Sequence, residues 1–191
     1  MVSEVPCFKC REPNHCCTEE TRDENLIMIT LHDADRICKA TGLKVEDFAE
    51  FRKVSDEKDL DEDEKYYFAD GHALFMKKKN KKCVFLKDYK CSIHKNRPNL
   101  CRIYPFWYEG EGDNIKIVRM NSKKCDTCPA TKKESRVCER VFNKMLETQE
   151  SLKEVARKYN EELETYNKYK CFLFKYTPSD LLARLKKDCL I

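Results

Sequence analysis

Glycine and proline are scarce in this sequence, which contains four glycines and six prolines among 191 residues. That scarcity does not fit a disordered chain rich in these two residues. Charged residues make up 38% of the sequence and hydrophobic residues 41%. The composition is typical of a soluble, rather helical protein, and the length suffices for one domain with its own apolar core.

The sequence also lacks a long apolar run. Its opening, MVSEVPCFKC, has neither the basic nor the apolar region of a secretory signal, and no stretch approaches the length of a membrane span. We therefore expect a cytoplasmic protein without a membrane partner.

A third absence concerns cofactor motifs. None of the glycines (Gly42, Gly71, Gly110 and Gly112) lies in a G-x-G-x-x-G motif after a strand. The close backbone approach that a Rossmann-type cofactor site requires is therefore not encoded in its usual form. The radical-type cluster motif C-x3-C-x2-C is absent too.

Charge is nearly balanced overall but uneven along the chain. There are 38 basic and 34 acidic residues, a net charge of +4. The acidic stretch DEKDLDEDEK (56–65) is typical of a solvated loop. The basic stretch KKKNKK (77–82) runs directly into Cys83, and nearby ammonium groups favour a thiolate over a thiol. Nucleic-acid binding is a weaker interpretation of this stretch, because the pI of 8.3 is modest and no binding motif accompanies it.

Local signals predict the elements. NLIMIT (25–30) is typical of a short strand, and Thr30 as N-cap with Asp33 at N3 predicts a helix through Ala40 that Gly42 ends. The later expectations are, in chain order, a helix over 45–54, strand-like aromatic segments between 66 and 108, a strand over 114–120, an amphipathic helical stripe over 132–168, and a final helix with Thr177 as N-cap and Pro178 at N1.

These elements predict an α+β fold. We expect a small cysteine-rich core of strands and loops that binds metal, with helices packed around it. Residues 1–130 form the cysteine-cluster region and residues 131–191 a helical C-terminal region of the same single domain. No internal repeat is evident.

Thirteen cysteines are the most distinctive feature of the composition. An odd number cannot all pair internally, and in a reducing cytosol clustered thiols bind metal more often than they form disulfides. Four cysteines lie in helical or apolar patterns and are expected in the core: Cys38, Cys138, Cys171 and Cys189. The other nine lie in short irregular segments: Cys7, Cys10, Cys16, Cys17, Cys83, Cys91, Cys101, Cys125 and Cys128.

The spacing of these nine predicts metal binding. C-x2-C, which lets a tight turn aim two sulfurs at one ion, occurs at Cys7/Cys10 and again at Cys125/Cys128. Thiolates suit zinc or an iron-sulfur cluster far better than magnesium or calcium. Nine ligands suffice for one or two four-ligand sites. Adjacent Cys16 and Cys17 either bridge two centres or leave one member spare.

Other side chains near the cysteines are weaker candidates. His15 and His94 could ligate, but the cysteines alone can fill tetrahedral sites. We expect Arg97 and Arg102 to pair with thiolates or backbone carbonyls and so to support the site.

Two segments, CFKCREPNHCC and CVFLKDYKCSIHKNRPNLCRIYPF, resemble the YkgJ-like cysteine-cluster family, described as a zinc- or iron-chelating domain. The resemblance covers residues 5–130. It implies as ligands Cys7, Cys10, Cys16, Cys17, Cys83, Cys91 and Cys101, and Cys128 resembles the cysteine of a downstream Cys-Pro-Gly. This sequence departs from the family in a longer gap between Cys10 and Cys16, in His94 where an aromatic residue is common, and in Ala130 in place of glycine.

Three hypotheses about function follow. The first is a metal-binding protein that holds zinc or an iron-sulfur cluster. The second, which the resemblance implies, is an iron-sulfur enzyme: a protein-lysine N-methylase of the flagellin type, acting on a protein substrate with S-adenosylmethionine, or an oxidoreductase. No motif supports S-adenosylmethionine, and no catalytic residue stands out. The third and least favoured is a zinc protein that binds nucleic acid through KKKNKK.

Overall fold

The computed structural model describes residues 27–53, 72–88, 90–104, 106–110, 112–119, 149–168 and 177–188. They form helices and short antiparallel strand pairs, a mixed α+β architecture. In chain order the elements are α1 (Leu31–Thr41), α2 (Val45–Phe48), β1 (Ala49–Lys53), β2 (His72–Met76), β3 (Lys78–Lys79), β4 (Lys82–Cys83), β5 (Leu86–Lys87), β6 (Lys90–Cys91), a 3-10 turn (His94–Asn96), α3 (Asn99–Ile103), β7 (Phe106–Glu109), a 3-10 turn (Gly112–Asn114), β8 (Lys116–Arg119), α4 (Gln149–Lys168) and α5 (Pro178–Lys187).

The predicted helix ends are confirmed at α1 and at the start of α5. At α1 the Thr30 hydroxyl accepts from the Asp33 backbone, and Asp33 reaches back to the Thr30 N–H in a capping box. Gly42 ends this helix in the left-handed conformation, at φ 72°. At α5 Thr177 is the N-cap and Pro178 occupies the first turn.

The predicted helix over 45–54 is wrong beyond Phe48. Residues 49–53 form β1, which pairs antiparallel with β2 from Ala49↔Met76 to Lys53↔His72. Pairing with β2 buries Ala49 beside the fully buried Phe48, and this tertiary contact outweighs the local helical pattern. Of the predicted strand over 25–30, the structure describes residues 27–30, and there Met28 forms an isolated antiparallel bridge with Phe75.

One apolar cluster collects side chains from both predicted regions. Its members from the first region include Leu31, Phe48, Phe75, Phe85 and Ile103. Its members from α4 and α5 are Leu152, Ala156, Tyr159, Leu163, Leu181, Leu182 and Leu185, at helical spacing. The C-terminal helices therefore complete the core that the cysteine-bearing segments begin.

Polar contacts also attach α5 to the start of the chain. Glu46 in α2 accepts from the backbone N–H of Ser179, at 2.7 Å, and from the Ser179 hydroxyl. Lys186 pairs with Asp35 in α1. Among the helices that the structure describes, none combines the length and apolarity needed to cross a bilayer.

Candidate metal centre

Two central cysteines lie in a repeated structure. Residues 78–85 (KKNKKCVF) and 86–93 (LKDYKCSI) form two antiparallel hairpins in succession, which we call the tandem hairpins. The first residue of each hairpin pairs with its cysteine, Lys78 with Cys83 and Leu86 with Cys91. The two cysteines therefore occupy equivalent positions in their hairpins, and Cys91 follows Cys83 by eight residues. Only three of the eight positions are identical, so the two hairpins repeat in backbone pairing without an evident repeat in sequence.

Backbone bonds and turns repeat with the same offset. Val84 N donates to Lys77 O at 3.3 Å, and Ser92 N donates to Phe85 O at 2.9 Å. Asn80 and Asp88 occupy equivalent turn positions at φ 51° and 46°. Two-residue hairpin turns require such left-handed residues, and Asn and Asp tolerate that conformation best after glycine.

Each hairpin separates lysines from its cysteine. Residues directly opposite each other in an antiparallel pair share a face, and the next pair along lies on the other face. Lys79 and Lys82 are exposed, as are their equivalents Lys87 and Lys90, whereas both cysteines are partly buried against the core. Buried Phe85 and Ile93 end the two repeats and anchor them. The thiols therefore face the core side, as does the Lys78 position opposite Cys83, while these four lysines are exposed to solvent.

The third central cysteine, Cys101, is partly buried on α3. Arg102 beside it donates to the backbone carbonyls of Arg97, at 3.1 Å, and Lys95, at 2.7 Å. This pairing with carbonyls confirms one of the two predicted roles of Arg102. It braces the turn that connects the tandem hairpins to α3.

The structure describes three of the nine predicted ligands. Cys7, Cys10, Cys16, Cys17, Cys125 and Cys128 lie outside the described residues. Within the described ranges, no group of three or more Cys, His, Asp or Glu side chains is close enough to hold a metal ion. Cys83, Cys91 and Cys101 therefore do not make a three-ligand centre among themselves, and a centre that uses them needs further ligands from outside these ranges.

His94 is engaged in another way. Its Nε2 contacts the Arg97 guanidinium, which is a donor only, so this nitrogen acts as the acceptor. Burial, together with the positive charges of Arg97 and Arg102, lowers the pKa of His94 to about 4. A neutral His94 whose Nε2 is occupied by Arg97 fits the prediction that the cysteines rank above it as ligands. His15 lies outside the described residues.

A second polar cluster lies where α1, α3 and α4 meet, and we call its members Thr30, Asp33, Arg36, Asn99 and Glu162 the carboxylate network. Fully buried Asp33 accepts from the backbone N–H groups of Thr30 (3.3 Å) and Asn99 (3.0 Å) and from Arg36. Glu162 accepts from Asn99 Nδ2 at 3.1 Å and from the Thr30 hydroxyl. The network joins the α4 helix to the segment that carries Cys101.

Burial sets the protonation of this network. Burial and the charge of Asp33 raise the pKa of Glu162, against the opposing effects of Thr30, Arg36 and Asn99, to a net value of about 7. Burial also raises the pKa of Asp33, opposed by Arg36 and the two backbone N–H groups. Since Asp33 has the guanidinium partner, Glu162 is the carboxyl that carries a proton near neutral pH.

Sequence reasoning identified Asp33 only as a helix cap and did not identify Glu162. The hydrogen bond from Thr30 to Glu162 joins residues 132 positions apart, and no local pattern announces such a pairing.

No protein-family model matches the chain, and no solved structure matches it. The resemblance to the YkgJ-like family therefore stays a prediction that rests on the two cysteine segments.

Proposed function

We propose that this chain is a metal-binding protein that holds zinc or an iron-sulfur cluster through cysteine thiolates, in a reducing compartment such as the cytoplasm. The observation that carries the proposal is the tandem hairpins. They hold Cys83 and Cys91 at equivalent register positions of two successive hairpins, both partly buried against the core, and we infer that the two thiolates serve one centre.

The surroundings of these thiols favour metal binding over simple packing. A thiol must lose its proton to bind metal, and nearby cations favour that loss. In the first hairpin Lys78 lies directly opposite Cys83 and so shares its face, whereas Lys82 and Lys90, although adjacent in sequence to Cys83 and Cys91, are exposed to solvent. Cys38 on α1 provides the contrast, because burial raises its pKa and keeps it a thiol. It behaves as the buried, apolar cysteine that its helical pattern predicts.

The remaining ligands are the predicted ones outside the described ranges. Four thiolates complete a tetrahedral zinc or iron-sulfur site, so Cys83, Cys91 and Cys101 require at least one partner from Cys7, Cys10, Cys16, Cys17, Cys125 or Cys128. Bound metal would supply a link between the hairpins and these segments. The enzymatic alternatives, methylase or oxidoreductase, rest on the family resemblance alone.

The test is metal analysis by mass spectrometry, with acid-labile sulfide and a visible spectrum, on protein purified without oxygen from cells supplied with zinc and iron. We expect about one metal centre per chain, and a loss of affinity in C83S and C91S greater than the roughly 10- to 100-fold caused by losing an outer partner.

C38S is the matched control, because it removes a partly buried cysteine outside the hairpins, and it should keep the metal content of the wild type. Protein without metal, or equal losses in C38S and C83S, would overturn the proposal. Iron with sulfide would direct the next experiment to S-adenosylmethionine binding, whereas zinc alone would favour a structural centre.

A further inference from the structure

We propose that the outer face of the tandem hairpins binds the phosphate backbone of nucleic acid. Its four lysines take register positions that alternate with those of the cysteines, although Cys83 also borders the recess beside Lys79 and Lys82. The proposal does not depend on which metal the cysteines hold.

The first observation is that each hairpin contains two lysines directly opposite each other on its two strands. Lys79 lies directly opposite Lys82, and Lys87 lies directly opposite Lys90, and all four are exposed. Like charges directly opposite each other on a strand pair destabilise it, by up to about 1 kcal/mol. The arrangement nevertheless occurs at the same positions of both hairpins. An anion bound between the ammonium groups of each pair would remove that repulsion.

The second observation is that these lysines are available. Within the described part of the chain, none of the four forms an ion pair. Lys81 in the first turn and Lys95 after the second hairpin are exposed as well. The sequence shows one basic run ending at Lys82, whereas the structure adds a second, equivalent pair. The second pair therefore favours nucleic-acid binding more strongly than the basic run in the sequence does alone.

The third observation is a recess of about 390 Å3 at the first hairpin, lined by Lys79, Asn80, Lys82, Cys83, Val84 and Leu86. Two ammonium groups and the Asn80 amide are donors suited to phosphate oxygens. A phosphate seated there would be bound by Lys79 and Lys82 while the backbone continued toward Lys87 and Lys90.

The character of the surface favours nucleic acid over an acidic protein. Protein interfaces usually contain apolar or aromatic anchors at their centre. Among the described residues, the large hydrophobic side chain that is exposed is Leu43, which lies outside the hairpins. Charges spread over two hairpins suit a chain of repeated phosphates better than a single small anion. Asp88 at the second turn is the one carboxylate within this repeat.

The experiment is fluorescence anisotropy of a short labelled single-stranded RNA, titrated with the full-length protein over a series of salt concentrations. If four lysines each neutralise one phosphate, affinity should fall about 50-fold between 50 and 200 mM salt, with a slope of log K against log salt near −3. Replacing the four lysines (K79Q, K82Q, K87Q and K90Q together) should remove most of that slope.

A matched control removes the same charge elsewhere, with K44Q, K53Q, K116Q and K187Q, all at exposed positions. It should retain most of the affinity. D88N should bind RNA more tightly than the wild type. If the fourfold hairpin variant fails to fold by circular dichroism, K79Q/K82Q and K87Q/K90Q are tested separately, and each should remove about half of the slope.

Equal losses in the hairpin and control sets would overturn the proposal, because net charge alone would then explain binding. Salt-independent binding would overturn it as well. Displacement of the RNA by poly-glutamate at equal charge would instead identify an acidic protein as the partner.

Discussion

The tandem hairpins expose four lysines of the same charge to solvent, whereas the carboxylate network encloses two carboxyl groups between three helices. Water can solvate each exposed ammonium group of the hairpins, so a ligand can bind there or leave with little effect on the stability of the fold. In the network Asp33 is fully buried and Glu162 is partly buried, so their hydrogen bonds contribute to holding α1, α3 and α4 together. Exposure to solvent, more than charge itself, therefore distinguishes the lysines that can bind a ligand from the carboxyl groups that hold helices together.

Removing the charge of Asp33 should cause the largest loss of stability. In D33N the Arg36 guanidinium loses its buried partner, and an amide can accept at only one of the two oxygens now in use. We expect a loss of about 3 kcal/mol in the free energy of unfolding, measured by urea denaturation with circular dichroism.

Asp47 offers a matched control for that substitution. It occupies the same N3 position in α2 and accepts from Lys44 N at 2.9 Å, but it is exposed. D47N should cost less than about 1 kcal/mol. Similar costs for D33N and D47N would show that burial of the network adds nothing beyond helix capping.

The network should also make stability depend on pH. The pKa of Glu162 is about 7 in the folded protein and near 4.5 in the unfolded chain, so the folded state binds the extra proton between these values. Its contribution is therefore favourable at low pH and is lost as pH rises from about 4.5 to 7.

The E162Q substitution isolates that contribution, because glutamine mimics the protonated acid, with Oε1 accepting from Asn99 and Nε2 donating to Thr30. Relative to the wild type, E162Q should gain about 2 kcal/mol between pH 4.5 and 7.5, from urea denaturation at several pH values. A difference that does not change with pH would contradict the assignment of the proton to Glu162.

His94 should give the stability a pH dependence of the opposite sign. Its pKa is about 4 in the folded protein and near 6.5 in the unfolded chain, so its contribution is lost as pH falls through that window. After solvent screening of this partly exposed group, we expect about 1 kcal/mol. H94Q, which keeps an acceptor for Arg97, should lose less stability than the wild type on acidification from pH 6.5 to 4. Parallel curves would contradict this prediction.

The smallest expected effect concerns the hairpin lysines. K79Q/K82Q should raise the melting temperature slightly, by the equivalent of about 0.3 kcal/mol at low salt, because it removes repulsion across the strand pair. The gain should shrink at high salt, where exposed charges are screened. A loss of stability would show that these lysines support the fold.

Local chemistry explains which parts of the fold could be predicted from the sequence. The caps at Thr30 and Thr177 involve residues three positions apart, and the sequence signal for them is nearly sufficient. β1 could not be predicted because its partner, β2, begins 19 residues after β1 ends, at His72 after Lys53. In the site, the cysteine spacing identified Cys83, Cys91 and Cys101 as candidate ligands. It did not predict the hairpin turns that place Cys83 and Cys91 at equivalent positions. Glu162 was missed because its partners are distant in sequence.

The eight-residue offset of the tandem hairpins has an evolutionary consequence. The carbonyl of Phe85, which ends the first repeat, accepts the bond that closes the second, just as Lys77 serves the first. Each unit thus provides the starting point for its successor, and the two units keep the same backbone bonds although five of their eight residues differ. A lysine, a left-handed Asn or Asp, a lysine and a cysteine at fixed spacing, repeated once, form a signature that could identify distant homologues after overall similarity has been lost.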